Sequence, residues 1–218
     1  MGPIQSADIM ETHTAFFYGT LMAEPVLYRV LFGTTNPDPY QRESLRVRSG
    51  LVRGYCRHRV KYADYPAIIP QEGESVRGTI VSGLISMHLK RLDTFEGSEY
   101  ERIILDPSAL SEIAPQTGDS GLVTVSQASA ADDIGEVQTY VWKGRQDELE
   151  REEWDFEHFR REKMKAWAGD REEYDEIADE EAKGTYGDPM RGRGVDGVIG
   201  KELREAGIED HDSVRAAA

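Results

Sequence analysis

Residues 14–22 read Thr14-Ala15-Phe16-Phe17-Tyr18-Gly19-Thr20-Leu21-Met22, and this stretch sets the fold. A short apolar run stopped by glycine has the form of a buried strand meeting a turn. Ala23, Glu24 and Pro25 follow, then Val26, Leu27, Val30 and Leu31 at helical spacing, and then Gly33. Proline suits the first helical position and glycine the residue past the last, so a short helix opening at Pro25 and closing at Gly33 is expected. A strand that turns through glycine into a helix presents successive backbone N–H groups. With a helix N-terminus behind them they form a concavity for carboxylate or oxyanion oxygens. Taken alone, a strand-glycine-helix turn is common and names no ligand.

Working outward, 34–40 carries Asn-Pro and Asp-Pro steps and reads as a loop. Strands are expected over 49–61, 67–69 and 76–84, punctuated by Gly50, Gly54, Pro66, Pro70 and Gly73. Ser86 is placed to cap a short helix carrying Met87, Leu89, Leu92 and Phe95. Two further strands, 100–105 and 137–142, are rich in β-branched and aromatic residues. Between them, 106–136 is rich in Ser, Ala, Gly, Asp and Thr and reads as a mobile insert in a hairpin. About six short strands with two short helices fit an α+β fold built on a small, partly closed mixed barrel better than a βαβ array. From 146 to 168 the spacing turns helical, with Phe156, Phe159, Met164 and Trp167 on one face and Gly169 as the stop. A second, polar helix is expected over 171–183. From Gly184 onward the composition is that of a flexible tail. The expected organisation is a 1–13 tail, a 14–143 barrel domain, a 144–183 acidic helical extension and a 184–218 tail.

The whole chain has 218 residues, enough for one sizeable core or for one domain with extensions. It carries 26 basic and 41 acidic residues, a formal net charge of −15, which argues against nucleic acid or an anionic membrane as the main partner. The segment 144–183 holds 16 acids against 8 bases, so it is expected to be largely solvated, apart from the core, and the natural place for a protein partner or self-association. One cysteine excludes an intrachain disulfide and a Cys-rich zinc site. Residues 1–14 have no basic start and no apolar run, so they do not read as a secretory signal. With no window long enough to span a bilayer, a cytoplasmic protein is expected.

Several residues could carry chemistry. Cys56 and His58 lie two apart in a strand and so on one face, which permits a thiolate–imidazole pair. A small core residue beside a basic strand is the plainer reading, and it is favoured. His13, His58, His88, His158 and His211 have no metal-binding spacing, so no metal is expected. The segment 41–62 has seven bases and one acid. It serves either as a counterweight to the acidic helices or as a positive wall for a carboxylate-bearing substrate. Glu96, in Leu92-Asp93-Thr94-Phe95-Glu96-Gly97, ends an apolar helix just before a strand, where a carboxylate could point inward. A lone Glu at a helix end is more often solvated.

Read jointly, the motifs say more. YGTLM at 18–22, GY.RH at 54–58, YPAIIP at 65–70, V.G at 76–78, LD.FEG.EYER at 92–102, Y.W at 140–142 and WDFEHF at 154–159 stand in this order. The pattern resembles the γ-glutamylcyclotransferase-like family, especially its plant and fungal AIG2-like branch, over 16–167. The resemblance implies a small mixed barrel with peripheral helices, whose pocket lies between the YGTL turn and an acidic residue. Tyr18, Gly19, Thr20, Leu21, Met22 and Ala23 then form the substrate loop, Glu96 is the general acid/base, and Tyr100 supplies a pocket hydroxyl. Thr20 stands where many members have Ser, and the 106–136 insert and the acidic extension are additions to the family pattern.

The implied activity is intramolecular aminolysis: the α-amine of a γ-glutamyl amide attacks its own γ-carbonyl, giving 5-oxoproline and a free amine, with no cofactor. That chemistry needs a base for the ammonium proton, an acid for the leaving nitrogen and donors for the oxyanion, and one carboxylate serves both proton transfers in turn. A Glu of ordinary acidity, near pKa 4.3, is poorly matched to an ammonium, so burial beneath Phe95 is expected to raise it. Amide hydrolysis or acyl transfer at the same pocket, and a binding protein that has lost turnover, are the alternatives. The substrate is left open among a γ-glutamyl dipeptide, a γ-glutamylamine and a glutathione conjugate.

Overall fold

A computed structural model describes residues 11–113 and 135–168. The expected 1–13 tail up to residue 10, most of the 106–136 insert, the 171–183 helix and the 184–218 tail lie outside the described residues.

Strand β1 (His13–Phe17) runs into the glycine turn as the sequence demands, and α1 (Glu24–Phe32) follows after one 3-10 turn (Thr20–Met22). Gly33 closes α1 in the left-handed region, at φ 74°, a conformation glycine adopts without steric cost. Part of the expected 34–40 loop is instead the start of a short helix, α2 (Pro39–Glu43). Asp38 accepts from the Gln41 N–H at 2.9 Å, and the Gln41 side chain takes the Asp38 N–H at 3.0 Å. That reciprocal cap explains a helix where the proline steps suggested none.

Strands β2 (Arg46–Arg59) and β3 (Pro66–Leu84) pair antiparallel along their whole length, so the two strands expected over 67–69 and 76–84 are one. The register slips between Arg53 and Tyr55, where Gly54 (φ 82°) stands opposite the exposed stretch around Gly73 (φ 85°). This bulge lets one long ribbon bend around the core. After α3 (Ser86–Glu96) come β4 (Tyr100–Ile104), a three-residue β5 (Leu110–Glu112) inside the expected insert, and β6 (Val137–Trp142). Ser86 is not the cap of α3. Ile85 holds that position, its N–H donating to His88 Nδ1 at 3.3 Å, while Ser86 Oγ lies 3.4 Å from His13 Nε2.

The six strands form one mixed sheet in the order β4-β6-β1-β3-β2-β5, parallel only at β1–β6. Its edges, β4 and β5, do not pair with each other, so the barrel is open along one side. One face buries Phe16, Tyr18, Val52, Ile68, Val76 and Ile80. The other packs against α1 and α3 through Ala15, Phe17, Leu27, Leu31, Leu89 and Leu92. β1 and β3 touch so closely that a Cβ on Gly78 would stand 2.2 Å from the Phe17 carbonyl oxygen.

The acidic segment behaves differently from expectation. Rather than a helix from 146, the chain makes one 3-10 turn (Gln146–Glu148) and then runs without helix, bending at 151–152, to Asp155. Its backbone groups go to β2: Lys61 N–H to Glu148 O (2.8 Å), Glu150 N–H to Arg59 O (2.8 Å) and Arg59 N–H to Glu152 O (3.3 Å). Helix α4 (Phe156–Glu162) starts only where Asp155 caps it, accepting from the Glu157 and His158 N–H groups, and α5 (Met164–Trp167) follows. Phe156, Phe159 and Trp167 are buried and Met164 packs against them, so the expected apolar face is real. The described part of the extension is therefore neither solvated nor apart. It adds Leu149, Trp154, Phe156, Phe159 and Trp167 to the same core as β1 and α1, because its aromatic residues outweigh its charge.

Candidate active site

The strand-turn-helix stretch and the end of α3 meet. A cavity of about 10 Å³ is lined by Phe16, Phe17, Tyr18, Gly19, Leu21, Pro66, Glu96 and Tyr140. Glu96 is only 7 % exposed and faces the Tyr18–Leu21 turn across this cavity, although it ends a helix. Gly97, in the left-handed region (φ 71°), donates to Asp93 O at 3.0 Å and stops α3 at that point. The stop turns the last side chain inward toward β1 and β6 instead of onward into solvent.

The turn itself is tight. The Met22 N–H donates to Gly19 O and the Ala23 N–H to Thr20 O, both at 3.0 Å. The N–H groups of Gly19, Thr20 and Leu21 take no part in those bonds, as the opening of a helical turn requires. Gly19 lies against Pro66, where a Cβ would come within 2.9 Å of the ring. Thr20 is 1 % exposed and its Oγ1 has no hydrogen-bond partner among the described residues. A buried hydroxyl without a partner is costly, and Thr20 itself does not line the cavity.

Not every expected residue reaches the cavity. Tyr100 is buried, and its hydroxyl donates to Pro66 O at 2.9 Å, so it braces a wall of the cavity. Met22 lines a separate groove, and Ala23, fully buried, is the N-cap of α1.

Tyr140 adds a phenol to the cavity's wall, and Asp93 and Arg102 stand behind it. Tyr140 on β6 donates to Asp93 Oδ1 at 2.8 Å, and Arg102 holds the same carboxylate through Nε at 2.8 Å and Nη2 at 3.1 Å. Burial, with the negative charges of Asp93 and Glu96, pushes the Tyr140 phenol far above its usual range, so it stays protonated. The Tyr18 hydroxyl donates to Tyr140 O at 2.7 Å and ties the turn to the same strand. A chain of neighbours thus runs from Arg102 through Asp93 and Tyr140 to Glu96. Pairing across β4 and β6 builds it, and that pairing leaves no spacing signal in the sequence.

The basic strand acts as a counterweight. Arg57 pairs with Glu153 at 2.7 Å, Arg59 lies 3.9 Å from Glu150, and Arg48 pairs with Glu112. Cys56 and His58 make no nucleophilic pair. Burial first, then the Glu74 and Glu153 charges, push the thiol up, and His58 Nδ1 donates to Glu150 O at 2.9 Å. Among the described residues no group of three or more His, Cys, Asp or Glu side chains could hold a metal ion. Nor is any described helix long and apolar enough to cross a membrane.

An inward Glu facing a strand-turn-helix loop, on an open mixed sheet with flanking helices, defines a class. The chain belongs to the gamma-glutamyl cyclotransferase, AIG2-like family, whose pattern matches residues 15–158. AIG2-like protein D of Arabidopsis thaliana is 30 % identical over 148 residues, spanning 68 % of this chain and 79 % of that protein. AIG2-like protein C of the same plant is 32 % identical over 145 residues, 66 % of this chain and 67 % of the relative. Among solved structures, the solution structure of an Arabidopsis thaliana protein at 26 % identity overlaps 83 % of this chain and 98 % of its own, with a TM-score of 0.42. The family match runs past residue 143, in keeping with the packing of 149–158 into the core.

Proposed function

We propose that the protein is a cofactor-free γ-glutamylcyclotransferase that converts a γ-glutamyl amide into 5-oxoproline and a free amine. The observation that carries this reading is Glu96, buried and facing the Tyr18–Leu21 turn across one cavity. Family membership supports the same reading.

In the reaction, the substrate α-ammonium first gives one proton to solvent, the amine attacks the γ-carbonyl carbon, and Glu96 takes the second proton that the bonding nitrogen sheds. The carbonyl π pair moves onto oxygen, and the backbone N–H groups of Gly19 to Leu21 receive that oxyanion. Collapse breaks the γ-carbon–nitrogen bond while Glu96 returns the proton to the departing nitrogen. No protein nucleophile is used. Holding the glutamyl chain curled supplies the proximity term. A cavity of about 10 Å³ has room for a single water, so substrate entry displaces part of its wall.

The test is incubation with a panel of γ-glutamyl dipeptides, γ-glutamylamines and glutathione conjugates, with mass-spectrometric detection of products. Release of 5-oxoproline is expected. Free glutamate as the product would assign hydrolysis at the same pocket, and no turnover of any member would leave a binding protein.

A further inference from the structure

Arg57 stands outside the cavity but is joined to its turn. Its Nη1 donates to Tyr18 O at 2.9 Å and its Nη2 to Glu153 Oε1 at 2.7 Å, while the guanidinium carbon lies 5.7 Å from the centre of the Trp154 ring. The Arg57 side chain is 11 % exposed while Glu153 is 67 % exposed, so the bond to Tyr18 O is the more sheltered of the two. Tyr18 O is the carbonyl of the peptide whose nitrogen is that of Gly19. In a planar trans peptide, C=O and N–H point in opposite directions, and no peptide among the described residues is cis. A carbonyl held on the Arg57 side therefore turns the Gly19 N–H to the other side. A cation on the carbonyl oxygen also polarises the amide and makes its N–H a stronger donor.

We infer that Arg57 is a positioning residue that fixes and polarises the Tyr18–Gly19 peptide, so that the Gly19 N–H serves as an oxyanion donor. The inference rests on the reaction proposed above for the role of that N–H, though not for its orientation. It also gives the 149–155 segment a part in the site: Glu153 and Trp154 hold the same guanidinium whose Nη1 reaches the turn. The effect belongs to the transition state, because negative charge on the substrate oxygen appears only there.

The test uses Arg57→Met, Arg57→Lys and, as control, Arg59→Gln in the full chain, with two readouts. Against whichever γ-glutamyl compound yields 5-oxoproline, Arg57→Met should lower kcat by roughly 10- to 100-fold, less than removal of an oxyanion donor outright. Its KM should stay within about twofold, since ground-state binding is little touched. Arg57→Lys, with the charge but not the fork, should fall between. In ¹⁵N–¹H correlation spectra the Gly19 amide proton should move upfield in Arg57→Met and less so in Arg57→Lys, and stay in place in Arg59→Gln. An unmoved Gly19 resonance, or a loss of kcat that only tracks a falling Tm across the variants, overturns the inference. If Arg57→Met does not fold, Arg57→Lys carries both readouts. If the wild-type protein turns over no γ-glutamyl compound, the proposed reaction falls, and the Gly19 resonance still decides what Arg57 does.

Discussion

At the scale of single residues, the site rests on one carboxylate placed where helix ends seldom put one. Glu96→Gln keeps the volume and most hydrogen bonding of the side chain but removes the carboxylate proposed as the base. Loss of a positioned general acid/base costs about 10²–10⁴-fold in rate, so turnover to 5-oxoproline should fall by that factor, while binding, held mainly by the turn, changes less. Glu99 suggests itself as the control, but it does not face solvent: it is half-buried, and the Tyr65 hydroxyl lies 3.5 Å from its Oε2. Glu101, exposed on β4, is the better control, and Glu101→Gln should be silent. Equal rates for Glu96→Gln and wild type would take Glu96 out of the reaction. The turn and Glu96 were legible in the sequence because each sits in a local motif whose residue types match the chemistry. The contacts of Tyr140, Asp93 and Arg57 were not, although all three stand in those motifs. Tyr140 meets Asp93 across 47 positions and Arg57 meets Tyr18 across 39, and only the packing of helix and strands brings them together.

At the scale of elements, α3 carries a titratable group that couples folding to pH. His88 is 7 % exposed, accepts the Ile85 N–H through Nδ1, and stands edge-on to Phe32 with ring centroids 5.1 Å apart. Burial first, then the Arg91 charge, lowers its pKa to about 4. The unfolded chain, with an ordinary histidine near 6.5, binds the proton more readily than the folded one. Stability is therefore full above about pH 6.5 and drains as pH falls toward about 4, below which this group adds no further slope. Denaturant unfolding between pH 7 and pH 4.5 should show a steeper loss for wild type than for His88→Gln; identical slopes would exclude His88 as the source. Element by element, the strand and helix periods gave β1, α1 and β6 nearly to the residue. They failed where backbone groups found distant partners: the 149–155 run satisfies itself on β2, and β5 pairs with β2 although its three residues lie in a polar insert. Composition read both stretches as what they would be alone.

At the scale of the whole molecule, the barrel and the described part of its acidic extension share one core. Trp154 Nε1 donates to Asp64 O at 2.8 Å, Lys163 lies 3.4 Å from the Asp64 carboxylate, and Val60 bridges Leu149. These join the segment to the β2–β3 connection. Trp167 then reaches edge-on to Phe95, the residue before Glu96, and to Tyr65, next to Pro66, at 6.2 Å in each case. The same segment thus covers two supports of the cavity. Truncating one buried Phe or Trp costs about 3–5 kcal/mol, against a total stability of about 5–15 kcal/mol for a domain. A chain ending at Lys143 loses Trp154, Phe156, Phe159 and Trp167 together and should not fold, although the sequence drew the barrel's boundary there. Trp167→Ala alone should fold with a Tm lowered by roughly 6–20 °C, at about 2–4 °C per kcal/mol for a chain of this length. Near-UV circular dichroism and thermal melts of both would decide the matter. A cooperative melt near the wild-type temperature in the 1–143 chain would show that the extension is an addition to a barrel already stable by itself, and would detach Arg57's partners Glu153 and Trp154 from any part in holding the turn.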